Sequence, residues 1–409
     1  MPHDRDMTWD PDHKPRLRPL EAFRSPDGNH HAFGLRDPTG LSPVMLSVSY
    51  GALQLMSLMD GERTCEQIRD AFSRSFGHDL SPTTLADMLG HLERAFLLEG
   101  PAFDAFYRDQ LLAYRSRPAR ELLPHSVLRT LEQPAQLLND ILDEAQPVSL
   151  DRPVRGLVAP HLDYPRGRPC YAAAYATLRG RPVPTRVVIL GTNHFGRSPS
   201  VVATRSHFET PFGITRTDTD FLGRLESSCG CLTEFELDHR LEHSVELQVA
   251  WLQHLFGADS FVIVPILCPD PCGPTGTRPI NGQGVDLRDF AATLARAIAA
   301  DGSDSLLLAG ADLSHVGAHF GDKRPLSDAF LEKVQCSDED VLRRLTNEGA
   351  DGWIQGIAGA SNCTRICSAG CIFAVAAALA DVRPTVLRYH QAVDQNTQTC
   401  VTCAAVAWT

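Results

Sequence analysis

The period of the apolar positions changes near residue 150. Before it, apolar residues recur at helical spacing in short runs. Residues 50–59 form one such run and stop at Asp60-Gly61. Residues 64–76 carry Cys65, Ile68, Ala71, Phe72 and Phe76 on one face, between Thr64 as N-cap and Gly77 as C-cap. Residues 81–96 open with Ser81-Pro82, a cap followed by proline at the first helical position. Ahead of these helices, apolar clusters at 17–23 and 32–35 flank Ser25-Pro-Asp-Gly28, which predicts a hairpin. Helices are also predicted at 102–114 and 131–145, joined by Arg115-Ser-Arg-Pro118. Beyond residue 150, short unbroken apolar runs alternate with amphipathic ones. Strands are predicted at 154–159, 186–191, 200–203, 261–266, 305–310, 385–389 and 401–408. Helices are predicted at 168–179, 218–228, 242–256, 286–300, 326–346 and 366–380. Alternation of this kind is the pattern of an α/β domain with a sheet buried on both faces.

The pattern divides the 409 residues into four parts: a polar, disordered N-terminus (1–15), a small winged-helix-like α+β module (16–100), a helical linker (101–150) and an α/β domain (151–409). Apolar residues make up 43% of the chain, enough for a buried core, yet no run approaches the length of a membrane span. The first ten residues are polar and lack the apolar segment of a signal peptide, so the twelve cysteines are expected as reduced thiols in the cytoplasm. A winged helix can bind DNA, but residues 1–150 hold 15 basic against 22 acidic side chains. Phosphate binding needs a positive face, so peptide or protein docking, or a purely structural lid, is expected of the module rather than nucleic acid.

The candidate chemistry sits at strand ends. Val187-Val-Ile-Leu190 is followed by Gly191, read as a turn, and by Thr192-Asn193-His194. The run at 154–159 ends in Pro160-His161, and the run at 305–310 leads to Asp312-Leu-Ser-His315. Ligands of open α/β sheets sit outside the carboxyl ends of the strands. A lone histidine is usually a surface or core residue, whereas two strands ending in His and a third in Asp-x-x-His form a pattern. His243 and His390 are the other histidines in suggestive places. Two histidines with an anionic third donor suit non-haem iron, and three donors with one open position suit zinc hydrolysis. Cys363, Cys367 and Cys371 recur every four residues and would share one helical face, although that spacing fits neither zinc nor iron–sulfur runs. Cys367 precedes the apolar run 370–380, where a helix start would depress its pKa. In Glu242-His-Ser-Val-Glu246, His243 and Glu246 are three apart; they read equally as site residues or as a solvated first turn.

Ordered pieces of the second half resemble the Memo family, which includes the B component of the AmmeMemoRadiSam system. They are Ala159-Pro-His161 with Tyr171 and Tyr175, Ile189-Leu-Gly-Thr-Asn-His194, Thr210-Pro-Phe-Gly213 with Asp218, Glu242-His-Ser-Val-Glu246, Val264-Pro-Ile266, Asp312-Leu-Ser-His315 and Ile366-Cys367. The resemblance implies a three-layer αβα fold similar to the class III extradiol dioxygenases. It implies one metal ion, Fe(II) foremost with Cu or Zn as alternatives, on His161, His194 and Cys367, the cysteine standing where the dioxygenases have a carboxylate. It implies Asp312, His315 and His243 as catalytic pocket residues, with His315 moving protons, and a radical-SAM protein as a partner. The module at 16–100 is similar to PqqD-like peptide-recognition domains in Leu35-Arg-Asp-Pro38 and Leu58-Met-Asp-Gly-Glu-Arg-Thr64. Two departures stand out. The family's Cys-Gly is Cys367-Ser368, which lacks a glycine's backbone freedom, and the small residues after Ala-Pro-His are Leu162-Asp-Tyr-Pro-Arg166. Asp163 and Arg166 read equally as substrate contacts or rim residues.

Three functions follow as expectations: an iron- or copper-dependent oxidoreductase on a phenolic or peptide-derived substrate, a non-catalytic metal-binding docking or regulatory protein, and, third, a zinc hydrolase. The ligand assignment requires the three donor atoms to lie within about 4 Å of one another.

Overall fold

The computed structural model describes residues 9–24, 32–146, 150, 152–270 and 276–409. The residues divide into two compact units, Met1–Tyr114 and Arg115–Thr409.

In the first unit, strands β1 (Glu21–Arg24), β2 (Ala32–Arg36) and β3 (Leu46–Ser49) form an antiparallel sheet in that order. The predicted hairpin partners therefore pair, while the turn at 25–28 lies outside the described residues. Helices α1 (Tyr50–Met56), α2 (Cys65–Phe76), α3 (Pro82–Arg94) and α4 (Pro101–Arg115) follow. The ends of α2 are set by local chemistry. Thr64 and Gln67 form a reciprocal capping box, and Gly77 closes the helix at φ 68°, a conformation that costs glycine little. Residues expected to belong to a disordered N-terminus are hydrogen-bonded here: the carbonyls of Pro11 and His13 accept from Glu66 and Cys65, two of the orphan donors that begin α2. A buried ion pair joins Arg18 to Asp37 at 3.0 Å, and the Arg18 guanidinium lies 3.9 Å from the centre of the Phe103 ring.

The second unit begins with α5 (Val127–Thr130) and α6 (Pro134–Asp143). Then come β4 (Gly156–Ala159), α7 (Tyr164–Ala176), β5 (Arg186–Thr192), β6 (Val202–Ala203), the hairpin β7 (Phe208–Thr210) and β8 (Gly213–Thr215), and α8 (Thr219–Cys229). After a 3-10 turn at Glu236–Leu241 follow α9 (Ser244–Phe256), β9 (Val262–Cys268), α10 (Leu287–Asp301), β10 (Ser305–Gly310), β11 (Asp312–Gly317), α11 (Asp328–Gly359, kinked at Gly349), α12 (Ala369–Ala378), β12 (Pro384–Asp394) and β13 (Thr399–Trp408).

The main sheet runs β11-β13-β4-β10-β5-β9-β6, with β12 also on β13. Strands β4, β10, β5 and β9 are parallel, and the rest pair antiparallel around them. Alternate residues face opposite layers. Val187 and Ile189 pack with Tyr171, Tyr175 and Trp251 of α7 and α9, while Val188 and Leu190 pack with residues of α8, α10 and α12. All four are fully buried, each such side chain contributing roughly 1.5–3 kcal/mol. This is the expected αβα sandwich. The stretch expected as a linker is packed as well: Leu138, Ile141 and Leu142 of α6 are buried among α7 side chains.

Two elements differ from the sequence reading. Residues 312–317 form a strand of their own, β11, on the far side of β13, because the chain leaves the sheet interior after Gly310. Cys363, Cys367 and Cys371 do not share one helix. Cys363 is exposed in a turn, Cys367 precedes α12, and Cys371 is buried within it.

Candidate metal centre

Strand β10 lies between β4 and β5, so His161 and His194 emerge on either side of the end of β10. Their rings are 4.8 Å apart, edge to face. His161 Nδ1 is 2.9 Å from the Gly310 carbonyl. A carbonyl only accepts, so Nδ1 carries the proton and Nε2 presents its lone pair. That Nε2 is 3.4 Å from Cys367 Sγ. His194 Nδ1 meets the two carboxylate oxygens of Glu242 at 3.1 and 3.0 Å, which leaves its Nε2 for the same space. The donor atoms of His161, His194 and Cys367 all lie within 4.8 Å of one another, a wider spread than the 4 Å expected for the set.

Glycines let the third layer reach this edge. A Cβ on Gly191 would lie 2.4 Å from Ser244 Oγ, and one on Gly310 would lie 2.4 Å from the Ser244 carbonyl oxygen. Gly191 is thus not a turn, as its position after an apolar run suggested. It sits within β5 and makes room for the first turn of α9. That approach delivers Glu242 and His243. The His243 ring stacks on His194 at 5.0 Å and stands 5.3 Å from His161. His194, Glu242 and His243 form a second group with metal-ligand spacing.

Charge is distributed unevenly. Burial holds His161 well below its ordinary pKa, so it is neutral. Burial also disfavours charge on His194, but Glu242 and then Cys367 outweigh it and hold the imidazole well above its usual range. For Glu242 burial acts upward, and the charges and hydrogen bonds of His194 and His243 overcome it, keeping the carboxyl well below the usual range. Burial pushes the Cys367 thiol up, against the lowering by His194. The helix-start argument for a depressed thiol pKa fails for that reason: desolvation of the half-buried sulfur outweighs what the neighbouring groups supply.

The remaining predicted residues fall as follows. Asp312 accepts from the His161 backbone N–H at 3.1 Å, and its Oδ2 is 3.5 Å from His161 Nε2. Burial pushes its carboxyl up to about 7. His315 lies beyond a β-bulge between Asp312 and His315, the kind of irregularity that re-aims a side chain. Its Nδ1–H donates to Leu313 O at 3.0 Å, the ring stands edge-on to Phe320, and burial holds the imidazole down at about 4. His390 is on β12 opposite Cys403, outside the cluster. Glu246 is not a site residue. It forms a fully buried ion pair with Arg120 at 2.8 Å and accepts from Leu123 N–H. Asp163 caps α7 and pairs with Arg166 at 2.6 Å. Ser368 has φ −109°, so no glycine freedom is needed there. The sequence reading missed the role of Glu242, although a carboxylate beside a candidate histidine is the usual partner of a ligand's second ring nitrogen.

A sheet covered on both faces, with two histidines and a cysteine gathered where its parallel strands end, defines a class of α/β protein with a strand-end metal-type site. The chain belongs to the Memo family: that family's model, described as Memo-like protein, matches residues 129–407. A MEMO1 family protein of Aquifex aeolicus is 24% identical over 84% of this chain and 85% of its own length. One from Thermus thermophilus is 29% identical over 70% and 81%, respectively. One from Ignicoccus hospitalis is 34% identical over 47% of this chain, and the match spans 61% of that relative.

Proposed function

We propose that this protein binds one metal ion through His161 Nε2, His194 Nε2 and Cys367 Sγ and uses it in oxidoreductase chemistry of the extradiol-dioxygenase kind, on a phenolic or peptide-derived substrate. The observation that carries the reading is the pinning of both histidines by their Nδ1 atoms, to Gly310 O and to Glu242, which turns both Nε2 atoms toward one sulfur; the proton that Glu242 and Cys367 hold on His194 is displaced when a cation binds. Two imidazoles and a thiolate suit Fe(II), Cu or Zn as a donor set. Bound there, the ion supplies Lewis acidity and, for iron or copper, redox capacity toward substrate.

The protein's own groups handle protons and position. His315, held down at about 4, is neutral at pH 7 and takes a proton from a substrate hydroxyl. Asp312, pushed up to about 7, exchanges a proton near neutrality. His243, stacked on His194 and partly exposed, lines the entrance and orients an incoming ring. In the same reading, the first unit is a winged-helix, PqqD-like module that presents a peptide or protein, with a radical-SAM enzyme as the candidate partner and the cytoplasm as the setting.

A second reading, a metal-binding docking or regulatory protein without turnover, is favoured by the donor set itself: two imidazoles and a sulfur suit softer ions such as Cu(I) and Zn(II) better than two imidazoles and a carboxylate would. The test is metal analysis of tag-free protein purified without oxygen, then Fe(II) loading and O2 uptake with a catechol probe. One ion per chain with uptake that is lost in H161A supports the enzyme. One ion with no uptake favours the second reading. No stoichiometric ion overturns both.

A further inference from the structure

Serine at a helix N-cap normally turns its hydroxyl onto the backbone N–H groups of the first turn. Ser368 occupies the N-cap of α12 and makes no such bond. Its side chain is fully buried, and its Oγ has three other neighbours. The Asp312 backbone N–H donates to it at 3.1 Å. Thr192 Oγ1 is 2.9 Å away and Cys367 Sγ is 3.2 Å away. Thr192 Oγ1 in turn lies 3.5 Å from Cys371 Sγ. Each contact reaches a different part of the site. Thr192 ends the strand that carries His194, Asp312 holds the backbone N–H of His161, and Cys367 is the sulfur itself.

The proton inventory settles the direction of these bonds when Cys367 acts as a thiolate. A thiolate only accepts, so the single Ser368 proton goes to sulfur. The Asp312 N–H occupies one lone pair of Ser368 Oγ, and Thr192 O–H donates to the other. Thr192 is then free to accept from the Cys371 S–H. Each hydroxyl proton of the set then has one place, and the Cys268 thiol, the other hydrogen-bonding neighbour of Cys371, stands outside the contacts to Ser368.

We infer that Ser368 is a positioning residue that holds the Cys367 sulfur and donates a hydrogen bond to it in the ligand state; this rests on the ligand assignment proposed above. A hydrogen bond to a ligating sulfur draws electron density from it and tunes the electronic character of the metal. The sulfur-to-metal charge-transfer transition reports this directly, because a merely structural residue leaves its energy unchanged.

The experiment loads full-length protein with Co(II) without oxygen and records the near-ultraviolet sulfur-to-cobalt band in wild type, S368A, S368G and C367S. Two Ser368 variants are used so that a folding defect in one leaves the other readable, and φ −109° accommodates both replacements. With the donor removed, the sulfur gives up charge more easily, so the band is expected at longer wavelength in both variants, with cobalt stoichiometry retained. A band that stays in place, or moves to shorter wavelength, in cobalt-loaded S368A and S368G overturns the inference. The C367S arm separates the two claims. If C367S keeps the band, the ligand assignment itself fails. If C367S abolishes it while the Ser368 variants leave it unmoved, only the role of Ser368 fails.

Discussion

Glu242 holds His194 twice, accepting the ring Nδ1–H at 3.0 Å and the backbone N–H at 3.1 Å. The same carboxylate accepts the Ser244 N–H at 2.8 Å and lies 3.4 Å from His243 Nδ1. One buried side chain therefore sets the tautomer of a proposed ligand and the place of its stacked neighbour. Replacing it by glutamine leaves the volume but removes the charge and puts an NH2 donor where one of the two accepting oxygens stood. Metal affinity in E242Q is expected to fall about 10–100-fold, measured by competition with a chelator. An unchanged affinity would remove Glu242 from the site.

The three cysteines spaced by four separate cleanly. C367S should lose the ion on dialysis. C363S should keep it, since Cys363 is exposed in a turn, and C371S should keep it, since Cys371 lies beneath Thr192. Metal stoichiometry of the three variants decides the matter, and a C363S protein that loses metal while C367S retains it contradicts the assignment.

The buried Arg120–Glu246 pair predicts a stability effect. Arg120 also donates to the carbonyls of His239 at 2.7 Å and Glu242 at 2.6 Å. R120M strands the Glu246 carboxylate in the interior, and breaking such a pair costs about 3–5 kcal/mol. Denaturant unfolding checks this; a loss below about 1 kcal/mol would mean that water reaches the carboxylate.

Gly310 predicts a coupling between packing and site. The Cβ of G310A would fall 2.4 Å from a backbone oxygen of α9's first turn, so the helix must shift. The cost is on the order of 1–3 kcal/mol, as for other overpacked cores. Because Glu242 and His243 precede that turn, metal affinity should weaken in the same variant. Loss of stability with unchanged affinity would uncouple the two.

A pH effect is expected at Asp338. This buried carboxyl accepts from Ser314 and Thr402 hydroxyls at 2.6 Å each and from the Tyr389 hydroxyl at 2.9 Å, yet burial still pushes it up to about 6. The ordinary value is 3.8. Between the two, the folded state holds a proton that the unfolded state has released, so this group's contribution falls as pH rises through that window. The D338N variant stays neutral and keeps an acceptor oxygen. Its stability relative to wild type should improve by on the order of 1–3 kcal/mol between pH 4 and pH 7, read from denaturant unfolding at each pH. A difference that does not change with pH would contradict the elevated carboxyl.

What the sequence determined by itself is whatever short-range physics dictates. The ends of α2 follow from Thr64, Gln67 and Gly77, because a cap satisfies donors only a few residues away. The buried strands follow from Val187–Leu190 and its counterparts, since a run with no polar face can only be enclosed. That His161 and His194 stand at strand ends follows from where those runs stop, and the αβα class follows from their alternation with helices. The tertiary structure alone decided which side chains share the site. His243 and Glu246 lie three apart at the start of one helix, yet the His243 ring meets His161 and His194 while the Glu246 carboxylate meets Arg120, 126 residues away in the chain. Gly191 looked like a turn and is a clearance for Ser244, a need visible only once α9 lies on the sheet. Cys367 looked set for a lowered pKa and is raised, because burial is a property of everything around it. Ser368 looked like a lost glycine, and its hydroxyl joins Thr192, Asp312 and Cys367 because three distant segments meet at one buried atom.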